Sequence, residues 1–94
     1  MTLYDKLQII RHEYHQLKTQ LNLICNFILH TLYNNLYNDI ILIDSYVGYT
    51  SGDIYINFKY KEKNSKNFNT NKISISKEQF LNYENKFKKI KNYS

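Results

Sequence analysis

One cysteine, two glycines and no proline, tryptophan or alanine make this chain as notable for its absences as for its contents. With Cys25 alone, neither an intrachain disulfide nor a zinc site built on several thiolates is available, which points to a reducing compartment. Two glycines, Gly48 and Gly52, cannot supply a glycine-rich phosphate loop. Long apolar runs are also missing. Residues 21–29 are interrupted by Asn22 and Asn26 and fall short of the roughly 18 apolar residues that a membrane span requires. Asp5 and amphipathic spacing stand where a secretion signal would carry a basic start and an apolar block, so no signal peptide is expected and the chain reads as cytoplasmic.

What remains is dominated by Lys, Asn, Ile and Tyr, a bias that matches AT-rich codons and a source in an AT-rich genome or a mobile element within one. No internal repeat appears, and 43% hydrophobic residues are enough to fold 94 residues around one core.

Leu3, Leu7, Ile10, Tyr14, Leu17, Leu21, Ile24 and Ile28 recur in steps of four and three, a heptad seam. Thr2 with Asp5 offers an N-cap, and neither glycine nor proline interrupts before Gly48, so one helix is expected from about Leu3 to about Tyr33. At 1.5 Å per residue, some 30 residues span roughly 45 Å, more than the body of so small a domain. Part of the seam therefore needs a partner. Apolar positions widen after Leu23, which assigns the second half to the chain's own sheet and Leu3, Leu7, Ile10, Tyr14 and Leu17 to self-association or a partner. The flanking charges Lys6, Arg11, Glu13 and Lys18 suit an antiparallel pair, or packing on the C-terminal helix, better than a parallel dimer.

Asn34, Asn35, Asn38 and Asp39 form a polar break, followed by a strand-like segment from Ile40 to Thr50 and turn chemistry at Thr50–Asp53. Ile54, Ile56, Phe58 and Tyr60 alternate with Tyr55, Asn57, Lys59 and Lys61, the pattern of a strand with one dry and one wet face. Residues 62–71 read as a basic, Asn-rich loop, and Lys72–Ser76 as a short third strand burying Ile73 and Ile75. Ser76 with Gln79 is a capping-box signal for a last helix striped by Phe80, Tyr83, Phe87 and Ile90. The expectation is a single α+β domain over residues 1–94, ordered α-β-β-β-α. It comprises a long amphipathic helix (1–35), a three-stranded antiparallel sheet (40–76) with the helices on one face, and a C-terminal helix (77–91).

Catalytic signals are weak. His12, Glu13 and His15 place their histidines three apart, whereas a zinc helix needs four to bring both onto one face. His30 near the helix end suits the dipole. Cys25 sits in an apolar stretch that raises a thiol pKa, as a buried structural cysteine does. Asp39, Asp44 and Asp53 are scattered without the spacing of a carboxylate pair or calcium loop. No catalytic residue, cofactor or metal is assigned, and an enzyme is not expected.

Charge is more informative. Residues 1–47 carry three basic and four acidic side chains, whereas residues 48–94 carry ten lysines against four acids. Tyr55, Asn57, Lys59 and Lys61 project from one sheet face, continued by Lys63 and Lys66 in the loop and by Lys72 on the third strand. Lys86, Lys88, Lys89 and Lys91 form a second cluster. Lysines interleaved with tyrosine suit phosphate contact and base stacking, although lysine also solubilises exposed strands and helix ends. Tyr46 and Tyr49 add to Tyr55 as an interface patch, tyrosine being favoured where a rigid amphipathic ring is needed.

The α-β-β-β-α order resembles the double-stranded-RNA-binding domain, but Ser76-Lys77-Glu78-Gln79 opens the last helix without that family's lysine cluster and the first helix is far longer. The chain is similar in size, AT-rich composition, lack of catalytic motifs and element order to small phage and mobile-element inhibitors of the anti-CRISPR type. No residue motif defines those proteins. The resemblance implies a non-enzymatic inhibitor that occludes a host protein or ribonucleoprotein complex. Two other expectations stand beside it: direct nucleic-acid binding, and a homodimer through the N-terminal helix.

Overall fold

The computed structural model describes residues 1–92 and gives the order α1 (Leu3–Tyr33), β1 (Tyr37–Val47), β2 (Ile54–Glu62), β3 (Asn69–Ile75) and α2 (Lys77–Asn92). Both helix starts follow the predicted chemistry. The Asp5 amide donates to Thr2 Oγ1 at 3.2 Å and the Thr2 amide to Asp5 Oδ2 at 3.3 Å. At α2 the Gln79 amide donates to Ser76 Oγ and the Ser76 amide to Gln79 Oε1, both at 3.2 Å. Each reciprocal pair satisfies two donors that the first helical turn leaves open.

The sheet is antiparallel, with β2 between β1 and β3. Alternation along β2 decides its faces: Ile54, Ile56 and Phe58 are buried, while Tyr55, Asn57, Lys59 and Lys61 face away. Ile24, Cys25, Ile28 and Leu29 of α1, Ile40 of β1 and Ile75 of β3 close the core over that inner face. Phe80, Tyr83 and Phe87 of α2 pack against it, and the Phe27 and Phe87 rings meet at 5.6 Å. Burying a side chain such as Phe58 contributes about 3 kcal/mol, so these few residues carry most of the fold's stability.

The first strand begins earlier than its sequence suggests. Asn38 and Asp39 belong to β1 rather than to the polar break, which shrinks to residues 34–36. Register shifts between Asn38 and Ile41 and between Leu42 and Asp44 each add one residue to β1, and Asp39 takes φ 51° within the first bulge. These bulges sort the unpatterned run Ile40–Ile43 into buried Ile40, half-buried Leu42 and exposed Ile41 and Ile43. β1 ends at Val47 instead of Thr50, because Gly48 and Asp53 close the turn with Gly52 at φ 73°. β3 starts at Asn69, three residues ahead of expectation, and the stripe of α2 ends at Phe87, leaving Ile90 58% exposed.

Only the second half of α1 is packed. Residues 1–17 are all exposed, so the helix projects from the body and stretches the molecule to 56 × 32 × 28 Å. The alternative of packing this half on the C-terminal helix is not realised, since α2 meets α1 through Phe27 and around Leu23 and Ile24. Among the described residues no helix is long and apolar enough to cross a membrane.

Candidate interaction surface

With both helices on the inner face, the outer face of the sheet is left uncovered by the described residues. Strand register brings Tyr46 of β1 opposite Tyr55 of β2, and Asn57 opposite Lys72 of β3. The two tyrosine rings stack with centroids 5.3 Å apart, and the Lys72 ammonium lies 5.2 Å from the Tyr46 ring and 5.0 Å from the Tyr55 ring. The Tyr46 hydroxyl beside it pushes the Lys72 pKa above the ordinary lysine value, ahead of a smaller opposing effect of desolvation. Gly48 makes room for this arrangement: a Cβ there would stand 2.6 Å from Tyr55 Cε2 and 2.5 Å from Ser51 Oγ.

A second cation cluster lies farther along β2. Lys59 and Lys61, two residues apart on the same face, hold their ammonium groups 4.8 and 4.6 Å from the ring of Phe68, which returns from the β2–β3 loop. Lys61 also pairs with Asp39 of the β1 bulge at 3.7 Å. Such cation–ring contacts are worth about 0.5–1 kcal/mol each at exposed sites, enough to bias where a lysine points. Lys63 and Lys66 are exposed in the loop that carries Phe68. One side of the sheet thus presents rings and cations in close proximity.

No protein family, curated protein or solved structure matches this chain.

The remaining predicted residues divide by place. Lys88 and Lys89 are exposed on α2, in the helical layer on the opposite side of the sheet, so the fold does not join them to Lys59, Lys61 and Lys72. Lys88 pairs with Glu84 at 3.1 Å, one helical turn away. The side chain of Lys91 lies outside the described residues. Tyr49 stands at the hairpin, fully exposed and apart from the Tyr46–Tyr55 stack.

Cys25 is fully buried, and burial pushes its thiol up to about 11, against smaller opposing effects of the Ser45 hydroxyl and the Lys18 charge. That is the reverse of what a nucleophile requires. His12 shares a hydrogen bond with the Gln16 amide at 3.2 Å, and His12, His15 and His30 are exposed. Among the described residues no group of His, Cys, Asp and Glu could hold a metal ion.

Leu3, Leu7, Ile10, Tyr14 and Leu17 are between 55% and 72% exposed. Lys18 departs from its expected place among the seam-flanking charges: it reaches back to Asp44 of β1 at 3.0 Å and lowers the Asp44 pKa. Sequence reasoning missed Phe68, whose signal was an isolated aromatic in a lysine-rich loop. It also missed the aromatic row of Tyr33, Tyr37, Phe58 and Tyr60, with neighbouring rings 4.0–5.7 Å apart, because its members come from three elements.

Proposed function

We propose that this chain is a small non-enzymatic inhibitor or regulator. In this reading it docks its outer sheet face on a nucleic-acid-handling protein complex, such as a host defence system, and acts by occlusion. The observation that carries the reading is the uncovered face itself, where Lys72 lies over the Tyr46–Tyr55 stack and Lys59 and Lys61 over Phe68. Rings held by cations lose little freedom on docking, which favours a preorganised interface. Net positive charge on this half of the chain selects an anionic partner surface, and a ribonucleoprotein offers both carboxylates and backbone phosphates. The likeness to anti-CRISPR-type inhibitors in size, composition and element order supports the same reading.

Direct binding of nucleic acid is the second reading, favoured by the five lysines Lys59, Lys61, Lys63, Lys66 and Lys72 on one side of the sheet and its loop. Against it, the aromatic faces that would stack on bases are partly occupied by the chain's own lysines. Salt separates the two. Between roughly 50 and 200 mM salt, phosphate binding through about five contacts weakens by orders of magnitude, whereas a packed protein interface changes far less. Steep loss of all binding, with nucleic acid alone as the bound species, would overturn the inhibitor reading.

A further inference from the structure

We infer that the projecting half of α1 pairs with the same half of a second copy, antiparallel and in one register. The inference stands on residues of the projecting helix and does not depend on the outer sheet face. Leu3, Ile10 and Leu17 fall at d positions of the heptad and Leu7 and Tyr14 at a positions. Tyr4 and Arg11 then occupy e, and Lys6 and Glu13 occupy g. All of these side chains are exposed, so the described residues bury none of this seam.

Flanking charge selects the arrangement. In a parallel pair, g of one helix meets e of the other, and Lys6 faces Arg11 of the second copy. In an antiparallel pair, g meets g and e meets e. Setting Leu7 against Ile10 of the second copy, and Leu3 against its Tyr14, places Lys6 opposite Glu13 and Tyr4 opposite Arg11, each contact made twice by the dyad. Sliding by one heptad, to set Leu7 against Leu17, instead brings Glu13 onto Glu13 and Arg11 onto Arg11. One register therefore joins complementary charge to complete apolar layers.

The same register accounts for the apolar groove where the projecting helix meets the body. Tyr14, Leu17, Leu21, Val47, Ile54 and Phe80 line about 430 Å³ there together with Lys18 and Tyr46, and Tyr14 and Leu17 belong to both groove and seam. Antiparallel pairing brings the N-terminus of the second copy level with Leu17, and Met1, 83% exposed and flexible, is the side chain that reaches the groove. The dyad falls between residues 8 and 9, about 25 Å along the helix from Cys25 in the core, so the two sheets stand roughly 50 Å apart.

Sedimentation equilibrium of the purified chain over a concentration series tests this, with three variants kept folded by the undisturbed body. The wild type is expected to dimerise, and Leu7→Asp with Ile10→Asp to abolish dimerisation. Lys6→Glu should weaken the dimer by about tenfold, because the introduced carboxylate then faces Glu13 of the second copy, a repulsion made twice by the dyad, and adding Glu13→Lys should restore it. A monomeric wild type overturns the inference and frees the seam for another protein. Tighter association of Lys6→Glu would establish the parallel pair instead, and indifference to the charge swap would overturn the register.

Discussion

The Ser45 hydroxyl donates to the Asn22 side-chain carbonyl at 2.6 Å, a polar link between β1 and α1 at the margin of an otherwise apolar core. Ser45 is fully buried and stands next to the second β1 bulge. Together with Lys18 and Asp44 one residue earlier, it fixes how the helix lies along the edge strand. Ser45→Ala leaves the half-buried Asn22 oxygen without its partner and should cost about 1–2 kcal/mol in urea denaturation. A double-mutant cycle with Asn22→Ala should return a coupling of about 1 kcal/mol, and additive losses would show that the bond contributes nothing.

Alkaline stability follows from Cys25. Its thiol is raised from 9.0 to about 11 in the folded chain, so its contribution is complete below pH 9 and is lost as pH rises toward 11. The loss is on the order of 2 kcal/mol. Cys25→Ala should be less stable near neutrality yet decline less between about pH 9 and 11 than the wild type. Tyr33 and Tyr60, whose pKa values burial also raises, act in the same direction at higher pH in both proteins. Parallel pH profiles for wild type and variant would contradict the assignment.

Gly48→Ala tests how the tyrosine stack is held. A methyl group there collides with the Tyr55 ring, so the ring should move and Lys72 should lose one of its two aromatic neighbours. Ring current should place the Lys72 ε-methylene protons upfield in the wild type, and Gly48→Ala should move them toward their random-coil position, as should Tyr55→Leu. Unchanged shifts in both variants would mean that the cation does not rest on these rings.

How much of this was legible in the sequence depended on how local each signal was. The length of α1, both capping boxes and the two faces of β2 rest on contacts within a few residues, and periodicity exposed them directly. The start of β1 did not show, because Asn38 and Asp39 read as a polar break, and the facing of Ile40–Ile43 did not because the run is apolar without alternation and two bulges decide which residues turn inward. The lysines of β2 and β3 were placed on one face by counting from buried neighbours. Phe68 became part of that face only through the path of the loop, and the second cluster, Lys88 and Lys89, stands apart on a helix of the far layer. The exposed seam of α1 was legible as an excess of apolar positions over what one body can bury.

The outer face yields the most direct prediction. Lys59→Glu, Lys61→Glu and Lys72→Glu together remove the cation–ring contacts to Phe68, Tyr46 and Tyr55 and the Lys61–Asp39 pair but leave the inner-face core untouched, so circular dichroism should be retained with a stability loss on melting of only about 1–3 kcal/mol. Affinity for the partner should fall by at least about a hundredfold, from the loss of three attractive contacts and the gain of three repulsive ones.

The measurement closest to the central claim is an affinity pull-down from lysate of the source host, divided into nuclease-treated and untreated halves and run with the wild type and this triple variant. The account predicts one specific nucleic-acid-handling protein or complex retained by the wild type after nuclease and absent from the variant. Retention of bulk nucleic acid alone in the untreated half, or equal capture by wild type and variant, would contradict it.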